Sequence, residues 1–338
     1  MPASKVRVGL LGVAHTHAES YARSLTTSVA GAELVGVYDR SETYGKEFAK
    51  RHKTRFRKSV DELLSTADAV IIASENAFHH THAKSAARAG KHILCEKPIA
   101  ITVKDAEEMK REANKARVKF QMCYIMRYHT VASVVKELID EGRIGKILSL
   151  VGTNKLNSST TAKGWFSDKK LSGGGAAMDH TVHLADMMRW YTGSEVKEVY
   201  CEIAKNINPK LRVEDAFLTT VTFENGVLGH IDGSWSYPAG YQTWGDVALE
   251  VTGSKGVLSV DAFRQNIYYT GANPPNDRLN WRSYGCDPNT EMIKNFVDCI
   301  VKDEEPLASA DDGIKGLEIT LASYESSRKG TPVRLSGR

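Results

Sequence analysis

Short apolar runs alternate with helical segments along the first 123 residues, and this alternation constrains the fold more than any other feature. The runs that predict strands are Val6–Leu11, Glu33–Tyr38, Ala69–Ile72, His92–Cys95 and Lys119–Cys123. Between them, apolar residues recur at helical spacing. Parallel strands require such helical crossovers, so the pattern predicts an α/β domain with a doubly wound, Rossmann-type parallel sheet over residues 1–125.

Residues 126–338 show a different period. Val199, Cys201 and Ile203 alternate with polar neighbours, as half-buried antiparallel strands do. The dipeptide Asn225-Gly226 predicts a hairpin turn, and Ala176–Tyr191 reads as a helix. We therefore predict an α+β domain built on an open, mainly antiparallel sheet. A chain of 338 residues suits two domains, since one domain typically has about 100–200 residues.

Composition excludes several classes of protein. With 41% hydrophobic residues and a net charge of only +4, the chain is neither disordered nor collagen-like. It has no long basic block of the kind that binds nucleic acid, and no apolar window near the roughly 20 residues that cross a bilayer. Five cysteines without a C-x-x-C pair are expected to be buried free thiols, which favours a cytoplasmic location.

The turn after the first predicted strand has the position of the glycine-rich turn that binds a dinucleotide. It reads Gly12-Val13-Ala14-His15-Thr16-His17. Of the expected G-x-G-x-x-G, only the first glycine is present, with Ala14 at the second site and His17 at the third. Free backbone N–H groups at the start of the next helix suit a pyrophosphate. We predict cofactor contacts from Gly12, Val13, Ala14 and His15.

Asp39 ends the second predicted strand, at a distance that suits hydrogen bonds with the adenosine ribose hydroxyls. The alternative is that Asp39 only caps the next helix. Arg40 is able to pair with a 2′-phosphate, but the Asp39 carboxylate would repel the same phosphate. These residues predict NAD as the cofactor and leave NADP open.

A further motif, Gly90-Lys91-His92 leading to Glu96-Lys97-Pro98, ends a strand at the carboxyl edge of the sheet, where α/β proteins bind ligands. It resembles the signature of the glucose–fructose oxidoreductase/inositol dehydrogenase/MocA (Gfo/Idh/MocA) family. The likeness continues in order over most of the chain, through Asn76, His79, Gly142 to Gly145, Trp165, Gly173-Gly174-Gly175, Asp179 and His183.

The resemblance implies an NAD(P)-dependent oxidoreductase that oxidises a secondary alcohol of a sugar, inositol or related polyol to a ketone, with its substrate between the two domains. It places Lys97, Asp179 and His183 in the active site. The lysine ammonium can donate to the substrate oxygen, and a histidine, which titrates near neutral pH, can take the hydroxyl proton. Asp179 lies one helical turn from His183, and the preceding glycines allow close backbone approach.

Other readings of these residues remain. Lys97 is otherwise a surface lysine in a loop, and Asp179 with His183 an exposed pair that supports its helix. Arg127 either anchors a cofactor or substrate oxygen or bridges the domains. Further predicted cofactor contacts are Ser74, Asn76, His79, Glu96, Lys97 and Arg127, and further predicted substrate contacts are Asn154, Lys155 and Trp165.

No metal is expected from the sequence. His15, His17, His79, His80 and His82 are numerous, but no ordinary ligand spacing is evident among them. We expect a homodimer or homotetramer that forms through the sheet of the second domain. Two alternative functions are a redox-neutral enzyme that holds NAD tightly, such as a sugar–sugar oxidoreductase or glycosidase, and a non-enzymatic sensor that binds a dinucleotide.

Overall fold

The computed structural model describes residues 5–157, 164–205, 207–238, 240–243, 245–264, 266–269, 280–283 and 285–335. For the two strands Asn266–Tyr269 and Asn280–Ser283 only the backbone is described. The chain forms two compact units: unit 1 comprises Met1–Tyr128 and Asp287–Leu317, and unit 2 comprises His129–Cys286 and Glu318–Arg338. The sequence pattern predicted a division at 125/126 and gave no sign that 287–317 returns to the first unit.

Unit 1 contains the predicted doubly wound sheet, which is confirmed. In its described residues, five parallel strands are ordered β2-β1-β3-β4-β5. A parallel bridge from Val37 to Phe56 adds one more pairing beyond β2. With this bridge in the place of a sixth strand, the strand order is that of the Rossmann fold. The elements are β1 (Val6–Leu11), α1 (Ala18–Thr27), β2 (Ala32–Tyr38), α2 (Glu42–Arg51), α3 (Val60–Leu64), β3 (Ala69–Ile72), α4 (Asn76–Arg88), β4 (His92–Cys95), α5 (Val103–Ala116) and β5 (Phe120–Met122).

Unit 2 contains a mixed, mostly antiparallel sheet. Among its described residues, seven strands are ordered β11-β10-β6-β9-β8-β7-β14, and only the β6–β9 pair is parallel. The elements are α6 (Thr130–Asp140), β6 (Ile147–Asn157), α7 (Lys169–Ser172), α8 (Ala176–Thr192), β7 (Val196–Ala204), β8 (Ala216–Phe223), β9 (Leu228–Tyr237), β10 (Ala248–Gly253), β11 (Val257–Asp261), the ribbon β12 (Asn266–Tyr269) and β13 (Asn280–Ser283), and the short β14 (Val333–Arg334). The predicted hairpin at Asn225-Gly226 joins β8 to β9, and Gly226 has φ +85°.

Two helices near the C terminus complete the described structure. Helix α9 (Pro288–Lys302) packs against α1 and buries Met292, Ile293 and Phe296 in the core of unit 1. This burial explains why 287–317 belongs to that unit. Helix α10 (Ala310–Lys329) begins in unit 1 and ends in unit 2. No helix in the described ranges is long and apolar enough to cross a membrane.

The two faces of the unit 2 sheet differ in burial. Helix α8 packs on β6 and β9 and covers one face, where Ile231 and Val221 are buried. On the opposite, outer face, Val151 and Leu218 are about half exposed, at 51% and 49%. Alternation along each strand assigns successive side chains to opposite faces. The cysteines are all free, but the expectation that all are buried is wrong for Cys286, which is exposed.

Candidate functional site

The turn after β1 requires glycine at position 12. Gly12 has φ +77°, and its N–H donates to the carbonyl of Tyr38 at 2.7 Å. A Cβ at this position would lie 2.6 Å from the Cα of Ser74, which follows β3. The chain thus brings the ends of β1 and β3 together, at the point where the strand order reverses and where such sheets bind ligands.

Asp39 fixes this turn from the end of β2. Its two carboxylate oxygens accept hydrogen bonds from the N–H groups of Val13 (2.9 Å) and Ser41 (2.7 Å). The side chain that caps α2 is that of Ser41, whose Oγ accepts from Tyr44 N–H. Asp39 therefore does more than precede a helix, because it links the loop after β2 to the glycine turn.

Arg40 lies beside α4. Its guanidinium carbon is 3.8 Å from the centre of the Phe78 ring, and its Nη1 is 3.7 Å from Glu75 Oε1. The side chain is half exposed. Arg40 thus has an aromatic face and a carboxylate as neighbours within unit 1.

Glu96 is the carboxylate at the end of β4, and it is fully buried. His17 Nδ1 is 2.8 Å and His15 Nδ1 is 3.3 Å from its Oε1, which also accepts the Tyr21 hydroxyl. Burial by itself would raise the pKa of Glu96, but the nearby His15, His17 and Lys97 outweigh burial and hold that pKa well below its usual range. The carboxylate is therefore ionised at neutral pH.

Lys97 is buried, with 5% of its surface exposed, so the reading as a surface lysine is wrong. Its backbone N–H donates to Glu96 Oε2 at 3.0 Å, and its peptide bond to Pro98 is cis. His79 Nδ1 is 2.9 Å from the carbonyl of Pro98, and its Nε2 is 3.2 Å from that of Ser74. The His79 ring therefore links the loops after β3 and β4, and burial lowers its pKa.

Two other predicted cofactor residues occupy defined places in unit 1. Asn76 is the first residue of α4 and is buried beside the loop after β3. Arg127 Nη1 donates to the carbonyl of Leu307 at 2.5 Å, and Nη2 donates to Asp312 Oδ1 at 2.8 Å. Arg127 thus anchors the returning segment of unit 1, and a role toward the cofactor stays a prediction.

In unit 2, Asp179 and His183 lie one turn apart on α8, as predicted. Trp235 Nε1 donates to Asp179 Oδ2 at 3.3 Å, and His180 Nε2 is 3.2 Å from the same oxygen. His180 Nδ1 donates to the Asn154 carbonyl at 2.7 Å. Since the ring already donates from Nδ1, it can also donate to Asp179 only when it carries both protons.

The glycines before α8 permit the close approach that the sequence predicted. A Cβ on Gly175 would lie 2.1 Å from the Glu214 carbonyl oxygen, and a Cβ on Gly174 would lie 1.9 Å from the Tyr324 hydroxyl. Glu214 Oε1 accepts from the N–H groups of Gly175 (2.7 Å) and Ala177 (3.2 Å), and from the Tyr324 hydroxyl. Burial, followed by the Glu214 charge, raises the pKa of Tyr324 well above its usual range.

Two of the predicted substrate residues, Asn154 and Lys155, lie on opposite faces of β6. Gly152 faces α8, where its Cβ would meet Leu184, so Asn154 shares that face and Lys155 the opposite one. Asn154 Nδ2 donates to the Asp246 carbonyl, whereas Lys155 Nζ pairs with Asp232 Oδ2 at 2.6 Å. Alternation thus places only Asn154 on the face that bears Asp179.

Trp165 lies in the short 3-10 helix Gly164–Ser167 of unit 2, with its ring stacked on that of Phe166 at 4.0 Å between centres. Lys97 belongs to unit 1, whereas Asp179 and His183 belong to unit 2. That they serve one reaction stays a prediction.

Sequence reasoning missed His180, Glu214, Trp235 and Tyr324. His180 is adjacent to Asp179 and offered a signal, because a buried polar neighbour of a candidate carboxylate is a natural partner. Trp235 is 56 positions from Asp179, and Glu214 is 39 positions from Gly175, so only the folded chain shows those contacts.

Comparison with known proteins gives two family matches. Residues 6–124 match a model described as an oxidoreductase family with an NAD-binding Rossmann fold. Residues 133–259 match the GFO/IDH/MocA C-terminal domain. Together the two matches span most of the chain.

Individual relatives match the chain at modest sequence identity. The chain is 28% identical to glucose-6-phosphate 3-dehydrogenase of Bacillus subtilis, covering 98% of this chain and 99% of the relative. It is 27% identical to myo-inositol 2-dehydrogenase of Thermotoga maritima, covering 98% of each. The crystal structure of GenD2 from gentamicin A biosynthesis, in complex with NAD, shares the fold, with a TM-score of 0.88, 23% identity, and coverage of 100% of this chain and 98% of that one.

Proposed function

Because the chain belongs to the Gfo/Idh/MocA oxidoreductase family, we propose that it oxidises a secondary alcohol of a sugar, inositol or related polyol to a ketone, with NAD⁺ as the hydride acceptor. The placement of Lys97 carries the proposal. Its side chain is buried directly after β4, in the same strand-end cluster as the Gly12 turn and Ser74. A buried ammonium at this edge of the sheet has little contact with water, so it can donate a hydrogen bond to a substrate oxygen.

The residues of unit 1 fit a dinucleotide. At Gly12 the turn has no room for a side chain, and the amides that follow precede helix α1. We assign Gly12, Val13, Ala14 and His15 to the pyrophosphate side, and Asp39 and Arg40 to the adenosine end. Ser74, Asn76, His79 and Glu96 would flank the cofactor from the ends of β3 and β4. When bound, NAD⁺ supplies the hydride acceptor.

The preference for NAD follows from the charge at the end of β2. Two backbone N–H groups hold the Asp39 carboxylate in place, where it would repel a 2′-phosphate. Arg40, the residue that would favour NADP, already faces Phe78 and Glu75. NAD is therefore the proposed cofactor, and use of NADP is an outcome that the assay below distinguishes.

We assign the protein's chemical roles to three side chains. His183 takes the proton of the substrate hydroxyl as the carbon loses its hydride, and Lys97 donates a hydrogen bond to the oxygen that becomes the carbonyl. Asp179, held by Trp235, orients the hydroxyl. Asn154 and Trp165 are proposed to contact the remaining hydroxyls or C–H faces of the substrate. Lys155, which was also predicted to do so, lies on the opposite face of the sheet and is left out of this assignment.

A substrate panel tests the proposal. The purified chain is mixed with aldoses, their 6-phosphates or inositols, with NAD⁺ or NADP⁺, and nicotinamide absorbance is followed. Lys97→Ala and His183→Ala should each lower kcat by about 10²–10⁴-fold while NAD⁺ affinity changes little. Lys91→Ala is the matched control, because Lys91 precedes the opposite end of β4.

Four results would contradict the roles assigned here. Unchanged turnover in both variants removes Lys97 and His183 from the chemistry. Loss of NAD⁺ affinity alone, with normal turnover at saturation, makes them binding residues. Cofactor that copurifies and is never released as NADH supports the redox-neutral alternative, whereas cofactor binding without turnover of any substrate supports a sensor.

We also propose that the outer face of the unit 2 sheet pairs with the same face of a second copy. Val151, Leu218 and Leu228 leave about half of their surface exposed there, and large apolar side chains exposed on one sheet face are a feature of interaction surfaces. Leu218→Lys should lower the mass measured by light scattering. Val301→Lys, at a 63% exposed position on α9, is the control and should not. A wild-type monomer would overturn the proposal.

A further inference from the structure

We propose that His15, His17 and Glu96 form a binding site for a divalent transition-metal ion of the Zn²⁺ class. One ligand atom from each residue lies within 4.8 Å of the other two. The site belongs entirely to unit 1, at the carboxyl ends of β1 and β4. The spacing of His15 and His17 alone gave no ligand set, because Glu96 is 79 positions from His17 along the chain.

The donor atoms suit such an ion in kind and in spacing. Two imidazole nitrogens and one carboxylate oxygen are a common set for zinc, which accepts three protein ligands and leaves a position for water or another oxygen. Donors bound tetrahedrally at about 2.0–2.1 Å lie roughly 3.3 Å from one another. His15 Nδ1 is 3.3 Å and His17 Nδ1 is 2.8 Å from Glu96 Oε1.

His15 Nδ1 is placed to act as a ligand once its ring is neutral. The backbone N–H of His17 donates to His15 Nδ1 at 3.2 Å, so that nitrogen carries a lone pair. Glu96 Oε1 is also an acceptor, and the two acceptors approach to 3.3 Å. A metal cation between them would bond to both atoms, at the expense of one long hydrogen bond from the backbone.

The surroundings of Glu96 orient it as the partners of metal ligands do. The Tyr21 hydroxyl donates to Oε1, and the Lys97 N–H donates to Oε2 at 3.0 Å. Outer-shell donors of this kind fix the direction of a ligand carboxylate. Because Glu96 is fully buried and His15 is 3% exposed, water competes little for these positions.

A second cluster in unit 1 provides a matched control. His80, Asp105 and Glu108 also bring three possible ligand atoms together, but all three residues are partly exposed. The Lys84 ammonium lies 2.8 Å from Glu108 Oε1 and so already supplies a positive charge. This cluster therefore should not need a metal ion.

The test uses the full-length chain without a histidine tag. After treatment with a chelator, it is titrated with Zn²⁺ by calorimetry, and one ion per chain should bind. His15→Gln and His17→Gln should each lower the affinity for Zn²⁺. The loss should exceed the roughly 10–100-fold that removal of an outer-shell partner costs. His80→Gln should leave the affinity unchanged, and circular dichroism checks that each variant is folded.

A measurement on the unmodified chain keeps the test independent of variant folding. Co²⁺ replaces Zn²⁺, and its visible absorption should show a site of low symmetry with nitrogen and oxygen donors. Absence of stoichiometric Zn²⁺ binding, or equal loss in His80→Gln, would overturn the proposal. Since neither readout measures turnover, this outcome leaves the proposed dehydrogenase activity standing.

Discussion

The turn that leads into α1 and the turn that leads into α8 both depend on glycine, but a carboxylate holds each of them in a different way. In the first, Asp39 accepts from Val13, ahead of the helix, and the described residues show no side-chain cap on α1. In the second, Glu214 accepts from Gly175 and Ala177, at the start of α8 itself.

This difference separates two uses of a helix N-terminus. The positive end of a helix attracts an anion, and a carboxylate from the same chain satisfies that attraction. At α8 the anion is Glu214, so the amides of Gly175 and Ala177 are already bonded. In the proposed function this helix therefore contributes the side chains of Asp179 and His183 and not its amides. At α1 no carboxylate bonds the first-turn amides among the described residues, which suits a phosphate-bearing cofactor.

Glycine substitutions should break the two turns to different extents. Gly12→Ala should lower the free energy of unfolding by about 3–5 kcal/mol, since it combines a left-handed φ with a clash against the Ser74 backbone. Gly174→Ala should cost about half as much, because its new Cβ meets mainly the Tyr324 ring, which can turn aside. Urea unfolding measures both.

Gly90→Ala is the control for the left-handed conformation alone. Gly90 has φ +68° with nothing within 4 Å of the added carbon, so the substitution should cost only about 1–2 kcal/mol. Equal losses for Gly12→Ala and Gly90→Ala would show that the contact with Ser74 is not tight.

Exchange of each carboxylate for its amide should sharpen the contrast. Glu214→Gln replaces charge-assisted bonds to Gly175 and Ala177 with neutral ones and should lower stability by about 1–3 kcal/mol, with no change in NAD⁺ affinity. Asp39→Asn should instead weaken the binding of NAD⁺ and lower the ratio of NAD⁺ affinity to NADP⁺ affinity. Unfolding curves and calorimetry give the two readouts. If Glu214→Gln weakened NAD⁺ binding and Asp39→Asn lowered only stability, the two carboxylates would not differ in the way proposed.

Sequence alone predicted the first turn far better than the second. The strand Ala69–Ile72 has the predicted bounds, because a buried parallel strand is a continuous apolar run with turn residues on both sides. Gly12, Ser74 and Glu96 follow such strands, and the carboxyl ends of parallel strands meet at one edge. Their proximity therefore follows from local pattern plus topology.

The second turn depends on contacts that no local pattern encodes. Glu214 reaches Gly175 across 39 positions, and Tyr324 reaches Glu214 across 110. Helix α9 was not predicted from the sequence, and neither was its place in the core of unit 1. Periodicity identifies an apolar face, whereas tertiary packing decides its partner.

Acid should loosen the first turn through His82, whose Nδ1 is 3.1 Å from the Oγ of Ser74. Burial, and then the charges of His79 and Arg40, lower the pKa of His82 to about 4. An unfolded histidine has a pKa of about 6.5, so the unfolded chain binds the proton first, and stability present above pH 6.5 is lost as the pH falls toward 4. Between pH 6.5 and 5 the loss should be about 2 kcal/mol, and His82→Gln should remove it.

Urea unfolding over this pH range measures the slope. His230→Gln is the control, because its half-buried ring lies on the outer face of the unit 2 sheet and bonds Thr220, away from both turns. If His82→Gln and the wild type lose the same free energy of unfolding as the pH falls, burial does not keep His82 neutral in the folded chain. In that case the first turn is no more sensitive to acid than the second.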